Sequence, residues 1–484
     1  MENQNLNSKV ISATKWSGIT EFAAKLVSPV TTMVLARLLT PEAFGVLVTA
    51  QMVISFAEVF TDAGFHKYIV QHEFADDADK YKSTTVAFWS NFIFSLAVWL
   101  LIILFSADIA NLVGCPGHGL VISVSSVCIP LTAFSSIQMA LYKRKLDFKT
   151  LFWVRIIGVL IPLIITIPLA LATHSYWALI IGMIALNLSN AILLTIKSEW
   201  KPRLYYDIQR FKEMFSFSFW SMLESVSIWL TGYIDIFIIG TVLSQHYVGL
   251  YRTSMSTVAQ ITSIITATTT PVLFSSLSRL QNNDEEFKRM FFRFQKLVGI
   301  LVLPVGMGIF LFRDFITLVL LGEQWLETAD FIGMWGLTSS VTIVLSHYSS
   351  EVYRAKGRPK LSVLSQWLHI IVLWPTIFLT VQYGYDILCL SRSLVRLELI
   401  MVNLLIMYFV LRYSIVRMFS NIMPSLIASA TMLLVLVLPQ SNNLWVTLCY
   451  MLIASVLYFA ILLMFPKERN ICFNIKSILR RKNE

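Results

Sequence analysis

The chain has 484 residues, of which 56% are hydrophobic and only 14% are charged, and its mean hydropathy is +0.70. A membrane-spanning helix needs about 20 apolar residues, so about 14 such helices would use most of the apolar residues. This composition predicts a polytopic helical membrane protein and excludes a soluble enzyme, a disulfide scaffold and a free nucleic-acid-binding domain. The cysteines have no metal-ligand or redox spacing.

Apolar segments along the whole chain are predicted to be membrane helices. In chain order they lie at about residues 13–36, 43–64, 84–106, 119–142, 151–172, 176–196, 213–241, 247–278, 297–312, 331–351, 361–382, 387–411, 418–438 and 444–466. The first segment contains Glu21 and Lys25 and is not followed by a small-residue cleavage site. We therefore expect it to be kept as a helix rather than removed as a signal peptide.

The net charge of +10 is concentrated in alternate connections between these helices. Of the 38 lysines and arginines, 31 fall in the termini and in every second connection, whereas the opposite connections contain only Arg37 and Arg313. Basic loops stay on the cytoplasmic side of a membrane, so both termini are predicted to be cytoplasmic. The positive charge then reflects orientation, and no nucleic-acid partner is expected.

The remaining cations fall inside apolar segments, where each costs about 2.5–3.5 kcal/mol on insertion scales. They are Lys25, Arg155, Arg252, Arg392 and Arg396. Arg155 is near a helix end, and its side chain is predicted to extend to the interface. For Arg392 and Arg396, with Glu398 nearby, a structural role is the favoured interpretation.

An internal repeat relates the two halves of the chain. A shift of 204 positions places Trp16-Ser17 on Trp220-Ser221, Leu39-Thr40 on Leu243-Ser244 and Gly45 on Gly249. Six helices separate the copies, so both halves enter the membrane from the same side, which indicates two bundles about an axis along the membrane normal. Chance similarity between two helix starts is the alternative. We predict an N-terminal bundle at 1–200, a C-terminal bundle at 201–412, two appended helices at 413–466 and a basic cytoplasmic tail at 467–484.

Polar residues recur at spacings of three and four on the first two helices of each half, which places each set on one helical face. The sets are Thr14, Gly18, Glu21, Lys25, Ser28 and Thr32; Gln51, Ser55, Glu58 and Asp62; Ser221, Glu224, Thr231 and Asp235; and Arg252, Ser256 and Ser263. A continuous polar face is costly against lipid. We therefore expect these faces to line a cavity between the halves, although small polar residues also allow close helix packing.

The charged members of these faces have a second interpretation. Glu21 and Lys25 are four residues apart and would neutralise one another on one helix. Asp235 and Arg252 lie at similar depth on adjacent antiparallel helices. A structural ion pair and an exposed ligand site are equally compatible with their positions.

Motifs for catalysis or cofactor binding are not found in the sequence. The acidic run at 76–79 resembles a metal-binding cluster of a glycosyltransferase, but the lysines that follow it favour a solvated charged loop. His347 and Glu351 are four residues apart without a third ligand, and there is no phosphate-binding glycine-lysine loop. We predict that the protein is not an enzyme, has no cofactor and draws energy from an H⁺ or Na⁺ gradient or from a partner.

Several segments resemble one family of membrane proteins. They are residues 36–45, 62–65 and 69–71 in the first half, and residues 235–240, 248–251, 271–274, 322–325 and 354–360 in the second. Together, from about residue 16 to residue 360, they resemble the Wzx-type polysaccharide transporters, the O-antigen flippases of the multidrug/oligosaccharidyl-lipid/polysaccharide exporter superfamily.

The resemblance implies an all-α polytopic fold of about 14 helices, with two pseudo-symmetric six-helix bundles and two C-terminal helices. It also implies a flippase that moves undecaprenyl-diphosphate-linked oligosaccharide, for O-antigen or exopolysaccharide, from the cytoplasmic to the periplasmic leaflet of the bacterial inner membrane by alternating access. Its partners would be this glycan-lipid, membrane lipid, and polysaccharide polymerase and chain-length proteins. The alternative is a cation-coupled drug exporter of the same fold.

In such a transporter the polar faces would supply the substrate and ion sites. Lys25 and Arg252 are expected to attract the diphosphate as charge-assisted donors. The other predicted cavity residues are Glu21, Ser28, Gln51 and Ser256. The candidates for carrying a coupling proton or sodium ion are Glu58, Asp62, Glu224 and Asp235.

Overall fold

The structure, a computed structural model, describes residues 16, 20, 24–25, 27–62, 64–358, 360–439 and 443–473, without the side chains of 62, 216–221, 223–224 and 472–473. Within these ranges the secondary structure is helical and includes no β-strand. The predicted all-α polytopic fold is therefore confirmed. The chain forms two compact units, residues 1–252 and 253–484, and the predicted bundle limits at 200 and 412 remain predictions.

The first unit is built from helices joined by short turns. They are α1 (Val27–Leu38), α2 (Pro41–Asp62), α3 (Phe65–Gln71), α4 (Asp77–Leu104), α5 (Ser106–Leu112), α6 (Gly119–Ser125), α7 (Cys128–Arg144), α8 (Phe148–Ile161), α9 (Ile167–Thr173), α10 (Trp177–Lys197), α11 (Ile208–Val242) and the first turns of α12 (Gln245–Arg279). A π-turn at Pro162–Thr166 joins α8 to α9. Helix α7 packs against α3, α4 and α10, and α2 packs against α11.

The second unit continues α12 and has the same helical character. Its further helices are α13 (Asp284–Leu311), α14 (Arg313–Leu320), α15 (Ala329–Thr342), α16 (Ser349–Ala355), α17 (Lys360–Thr380), α18 (Tyr385–Phe409), α19 (Ile415–Thr431), α20 (Leu444–Met464) and α21 (Pro466–Phe473). A π-turn at Ile343–His347 joins α15 to α16. Helix α13 packs against α15 and α19, and α18 packs against α15 and α17.

Twelve spans among the described residues are long and apolar enough to cross a membrane. Two further predicted segments correspond to α1, whose described part is short, and to α18, which contains Asp386, Arg392, Arg396 and Glu398. The prediction of about 14 helices is therefore approximate. Helix α18 is absent from the twelve spans because it contains four charged residues.

Several helices start earlier than their apolar residues predict. Helix α13 was expected to begin at residue 297 but begins at Asp284, with acidic residues in its first turn and Asn283 accepting a hydrogen bond from Glu286 N. Acidic residues are favourable at a helix N-terminus, and the Asn283 side chain satisfies one of the first free amides. A hydropathy pattern does not detect the start of α13, because it detects apolar residues and the first turns of this helix are charged.

The acidic run at 76–79 has a structural role in the first unit. The Asp76 side chain caps α4 by accepting a hydrogen bond from Asp79 N at 2.6 Å, and Asp79 forms a salt bridge with Arg210. These contacts agree with the interpretation of a charged loop rather than a metal-binding cluster.

A buried salt bridge fixes the last described helix of the second unit. Lys296 Nζ on α13 lies 2.7 Å from Glu468 Oε1 on α21, and the two side chains are only 14% and 3% exposed. Removing one partner of such a pair leaves the other charge uncompensated.

We expect Glu468→Ala to destabilise the second unit by about 3–5 kcal/mol, because the Lys296 ammonium would remain buried without its carboxylate. Thermal unfolding of the purified protein in detergent measures this. The double replacement Lys296→Met with Glu468→Leu should recover most of the loss. An unfolding temperature unchanged in Glu468→Ala would contradict a stabilising role for the pair.

Candidate functional site

The first turns of α2 and α12 cross with their backbones in contact. A Cβ atom built on Gly45 would lie 1.8 Å from Gln245 O, and one built on Gly249 would lie 1.8 Å from Pro41 O. Neither position can hold a larger side chain without moving the opposite helix. The repeat offset of 204 places Pro41 on Gln245 and Gly45 on Gly249, so equivalent residues of the two repeats face one another here.

Side-chain hydrogen bonds hold the same crossing. Thr49 Oγ1 donates to Gln245 Oε1 at 2.7 Å, and Gln245 Nε2 donates to Gly114 O at 2.8 Å. Gln245 is buried, so both ends of its amide are satisfied inside the protein. It thereby ties α2, α12 and the α5–α6 connection together at the side predicted to be periplasmic.

A polar cavity of about 330 Å³ lies within the first unit, among α2, α3, α4, α7 and α11. Its polar lining residues are Ser55, Glu58, Thr61, His66, Asn91, Thr132, Ser136, Lys143 and Ser225. The lining combines hydroxyl and amide groups with one carboxylate and one ammonium. Such a set suits a polar, hydrogen-bonding ligand rather than a hydrophobic one.

Asn91 is the most buried polar group of this cavity. Its side chain has no solvent exposure, and its Nδ2 donates to Ser136 Oγ at 2.9 Å. Its Oδ1 has no hydrogen-bond partner. Because a buried carbonyl without a partner is costly, the group is suited to accept a hydrogen bond from a ligand or a water in the cavity.

The polar face of α2 is partly at this cavity. Ser55 and Glu58 line it, and Ser55 Oγ also accepts a hydrogen bond from Trp229 Nε1 at 3.1 Å. Gln51 is half-buried one turn earlier. The side chain of Asp62, the last member of this predicted set, lies outside the described residues.

Asp235 and Arg252 do not form the ion pair that their depth allows. The Asp235 carboxylate is buried and accepts a hydrogen bond from Tyr251 OH at 2.7 Å. The Arg252 guanidinium instead lies over the Tyr233 ring, 5.6 Å from its centroid. In the described part of the chain no salt bridge joins the two residues, so this alternative is wrong.

The other predicted site residues are placed less fully. Lys25 and Ser256 are half-buried and Ser28 is exposed. Ser256 Oγ donates to Thr253 O of its own helix at 2.9 Å. Glu21 and the side chain of Glu224 lie outside the described residues, so the site roles of all these residues remain predictions.

The sequence reasoning missed most of the cavity because it followed charged helices only. Thr132, Ser136 and Lys143 fall on one face of α7, at spacings of four and seven residues, and Asn91 lies opposite them on α4. The same helical spacing rule that identified α2 would have identified α7. Among the described residues, no group of three or more His, Cys, Asp or Glu side chains is placed to hold a metal ion.

Apolar spanning helices and a polar cavity within them define a polytopic membrane transport protein. Residues 34–330, more than half of the chain, match the polysaccharide biosynthesis protein family. The chain belongs to this family, and the predicted resemblance to Wzx-type polysaccharide transporters is confirmed.

Individual relatives agree with this assignment. The chain is 24% identical over 355 residues to the succinoglycan biosynthesis transport protein ExoT of Rhizobium meliloti (strain 1021), covering 73% of this chain and 70% of that protein. It is 21% identical over 327 residues to the lipopolysaccharide biosynthesis protein WzxC of Escherichia coli (strain K12), covering 66% and 65%. The fold is similar to that of the lipid II flippase MurJ in an inward closed conformation, with a TM-score of 0.75, 15% identity, and coverage of 96% of this chain and 100% of that one.

Cys115 can report whether the glycine crossing opens, because it follows Gly114, which accepts a hydrogen bond from Gln245 at the crossing. Burial, followed by the Glu42 carboxylate, raises the pKa of the Cys115 thiol to about 12. Because the thiolate is the reactive form, alkylation should be slow while the crossing is closed.

We expect Gly45→Ala to speed Cys115 alkylation, since its methyl group displaces Gln245 and loosens the bond to Gly114. If the pKa falls by one, the thiolate fraction rises about tenfold. The measurement is maleimide labelling in a background with Cys449 and Cys472 replaced by Ser. Gly232→Ala is the matched control, since a Cβ at Gly232 meets nothing within 4 Å. Equal labelling of Gly45→Ala and the control would show that the crossing tolerates the added methyl group.

Proposed function

We propose that the protein is a flippase for undecaprenyl-diphosphate-linked oligosaccharide repeat units, moving them from the cytoplasmic to the periplasmic leaflet of the inner membrane by alternating access. Family membership supports a role in polysaccharide export. The observation that carries the proposal is the polar cavity among membrane helices of the first unit. A hydrated glycan cannot cross hydrocarbon without losing its hydrogen bonds to water, and such a cavity replaces them.

The cavity is suited to the glycan rather than to the diphosphate. Among its lining residues, Glu58 and Lys143 contribute opposite charges, and the rest are neutral hydroxyl, amide and imidazole groups. Sugar hydroxyls can donate to Asn91 Oδ1 and to the Glu58 carboxylate, and can accept from the Lys143 ammonium. The diphosphate is assigned to the half-buried cations Lys25 and Arg252, whose charge suits it.

The orientation of the chain is part of this proposal. The basic connections are assigned to the cytoplasm. The Gly45–Gly249 crossing lies at the opposite ends of the helices and is therefore assigned to the periplasmic side. Glu58, Asp62, Glu224 and Asp235 remain the coupling candidates predicted from the polar faces. The buried Asp235 carboxylate accepts hydrogen bonds from Tyr251 OH and from Ile236 N.

Deletion of the gene should cause lipid-linked repeat units to accumulate in the cytoplasmic leaflet. An impermeant sugar-oxidising label added to whole spheroplasts should then fail to reach them. Reintroducing the wild-type protein should restore labelling. If deletion leaves glycan export intact and instead reduces the export of cationic drugs, the protein is a drug exporter and the proposal is wrong.

Within the cavity, we expect Asn91→Ala to lower glycan export by about two- to tenfold, the equivalent of one lost hydrogen bond of about 0.5–1.5 kcal/mol. Surface glycan is measured at matched protein level. Ser95→Ala is the control, because this buried hydroxyl on the same helix donates to Phe92 O at 2.7 Å and does not line the cavity. Equal export by Asn91→Ala and Ser95→Ala would remove Asn91 from the substrate site.

Lys25→Ala and Arg252→Ala should each reduce export more than Asn91→Ala, because each removes a charge-assisted contact worth about 1.5–3 kcal/mol. Arg155→Ala provides a comparison, since this cation is exposed on α8. The same surface-glycan assay applies. Full export by both variants would exclude these two cations from diphosphate binding.

A further inference from the structure

Helix α18 carries interhelical hydrogen bonds on two sides inside the second unit. Toward α15 and its π-turn, Arg396 bonds Ser339, and Asn403 Nδ2 donates to Ser346 Oγ at 2.9 Å. Both pairs have a sequence separation of 57 residues, as expected for two parallel helices in fixed register. The polar residues of α18 thus form a regular series of hydrogen bonds along the helix, here called a ladder, with each bond a rung.

The opposite ladder joins α18 to the antiparallel helix α17. Asn403 Nδ2 donates to Ser365 Oγ at 2.8 Å, and His369 Nδ1 donates to Glu398 Oε2 at 2.8 Å. Ser365 and His369 are four residues apart and share one face of α17. This ladder has one neutral rung and one rung made of two titratable groups.

The His369–Glu398 rung is deep in the membrane. His369 is nine residues into α17, about 14 Å at 1.5 Å per residue, which is near the middle of a hydrocarbon core about 30 Å thick. The His369 and Glu398 side chains are only 8% and 17% exposed. Ionisable groups at such depth are costly and mark proton or ion pathways more often than packing sites.

Two arginines are the charged neighbours of this pair. The guanidinium of Arg396 lies 3.7 Å from the centroid of the Trp335 ring, and that of Arg392 lies 5.0 Å from the same centroid. Arg392 is 7% exposed, so its charge is poorly screened by water.

Tyr353 on α16 also faces α18, where its hydroxyl donates to Asn403 Oδ1 at 2.9 Å. The acidic, basic and histidine side chains on the neighbouring elements have contacts elsewhere. Asp330, on α15, pairs with Arg313 at 2.6 Å. His347, on the π-turn, lies 3.4 Å from Thr270 on α12. On α16, Glu351 and Arg354 pair at 2.9 Å.

We propose that His369 and Glu398 form a proton-binding site within the second unit, and that the coupling ion of the transporter is a proton rather than sodium. A sodium site needs several oxygen ligands and a negative surrounding charge. Here a single carboxylate faces a histidine nitrogen at 2.8 Å, so the pair lacks the set of oxygen ligands that a metal cation requires. With Nδ1–H donating to Glu398, Nε2 of His369 is the basic atom that gains the proton, and the neighbouring carboxylate balances its charge.

Packing alone does not require this pair. The Asn403 rung joins the same two helices with neutral groups, so a neutral amide at the Glu398 position would serve equally well as an interhelical contact. The titratable pair adds the ability to change charge. A change of charge in a buried site is a means by which proton binding can favour one conformation over another.

The first test reads proton binding directly and does not depend on any substrate. Purified protein labelled with ¹⁵N-histidine is titrated by NMR, and the His369 signal is assigned from its absence in His369→Asn. Over a pH series from about 4 to 9, we expect that signal to report a change of protonation state, and we expect its midpoint to move in Glu398→Gln. Ser365→Ala, which removes part of the neutral rung, should leave it unchanged. A His369 signal that keeps one protonation state across this range overturns the proposal.

The second test reads coupling and rests on the flippase function proposed above. In vesicles with an imposed pH gradient, wild-type export of lipid-linked glycan should be faster than in vesicles without the gradient. His369→Gln with Glu398→Gln keeps a hydrogen-bonding pair but cannot titrate, and it should lose this stimulation at unchanged protein level. Ser365→Ala should keep it.

The two tests separate the two proposals. Stimulation that survives in the double variant, or that follows a sodium gradient alone, overturns the proton site. If the wild type moves no glycan under any gradient, the flippase function fails, and the histidine titration still decides whether the pair binds a proton.

Discussion

Polar groups inside the hydrocarbon layer must find partners within the protein, and this constraint determines which parts of the chain meet. Helix α18 shows its effect most directly. Arg396 bonds Ser339 on α15, and Asn403 bonds Ser346 on the π-turn that follows it. Glu398 bonds His369 on α17. Such a helix is stable in a membrane because its neighbours satisfy the polar groups of Arg396, Glu398 and Asn403.

The same constraint explains why the cavity of the first unit is confined to particular faces. Ser55 and Glu58 on α2 meet Thr132 and Ser136 on α7 across it. If these faces were turned toward lipid, their hydroxyl and carboxylate groups would lose hydrogen bonds without replacement. A cavity therefore forms where polar faces converge, and its contents must be water or a polar ligand.

Close backbone contact governs the crossing of α2 and α12 in a different way. Gly45 and Gly249 correspond at the repeat offset. Gly45 lies against the backbone of Gln245, and Gly249 lies against the backbone of Pro41. Because the two backbones touch, a side chain added at either glycine would push the helices apart. Gln245 reinforces the crossing by bonding Thr49 and Gly114.

The sequence by itself determined the helical membrane fold and the family, because hydropathy and short motifs are local properties of the chain. The repeat remains a prediction. The sequence also identified Glu58 and Ser55 as members of a polar face. The tertiary structure alone decided which faces meet: it placed Asn91 and Lys143 with Glu58, turned Asp235 to Tyr251 instead of Arg252, and joined His369 to Glu398. Those partners are many residues apart or on separate helices, and helix rotation and register, which select them, depend on packing that no local pattern records.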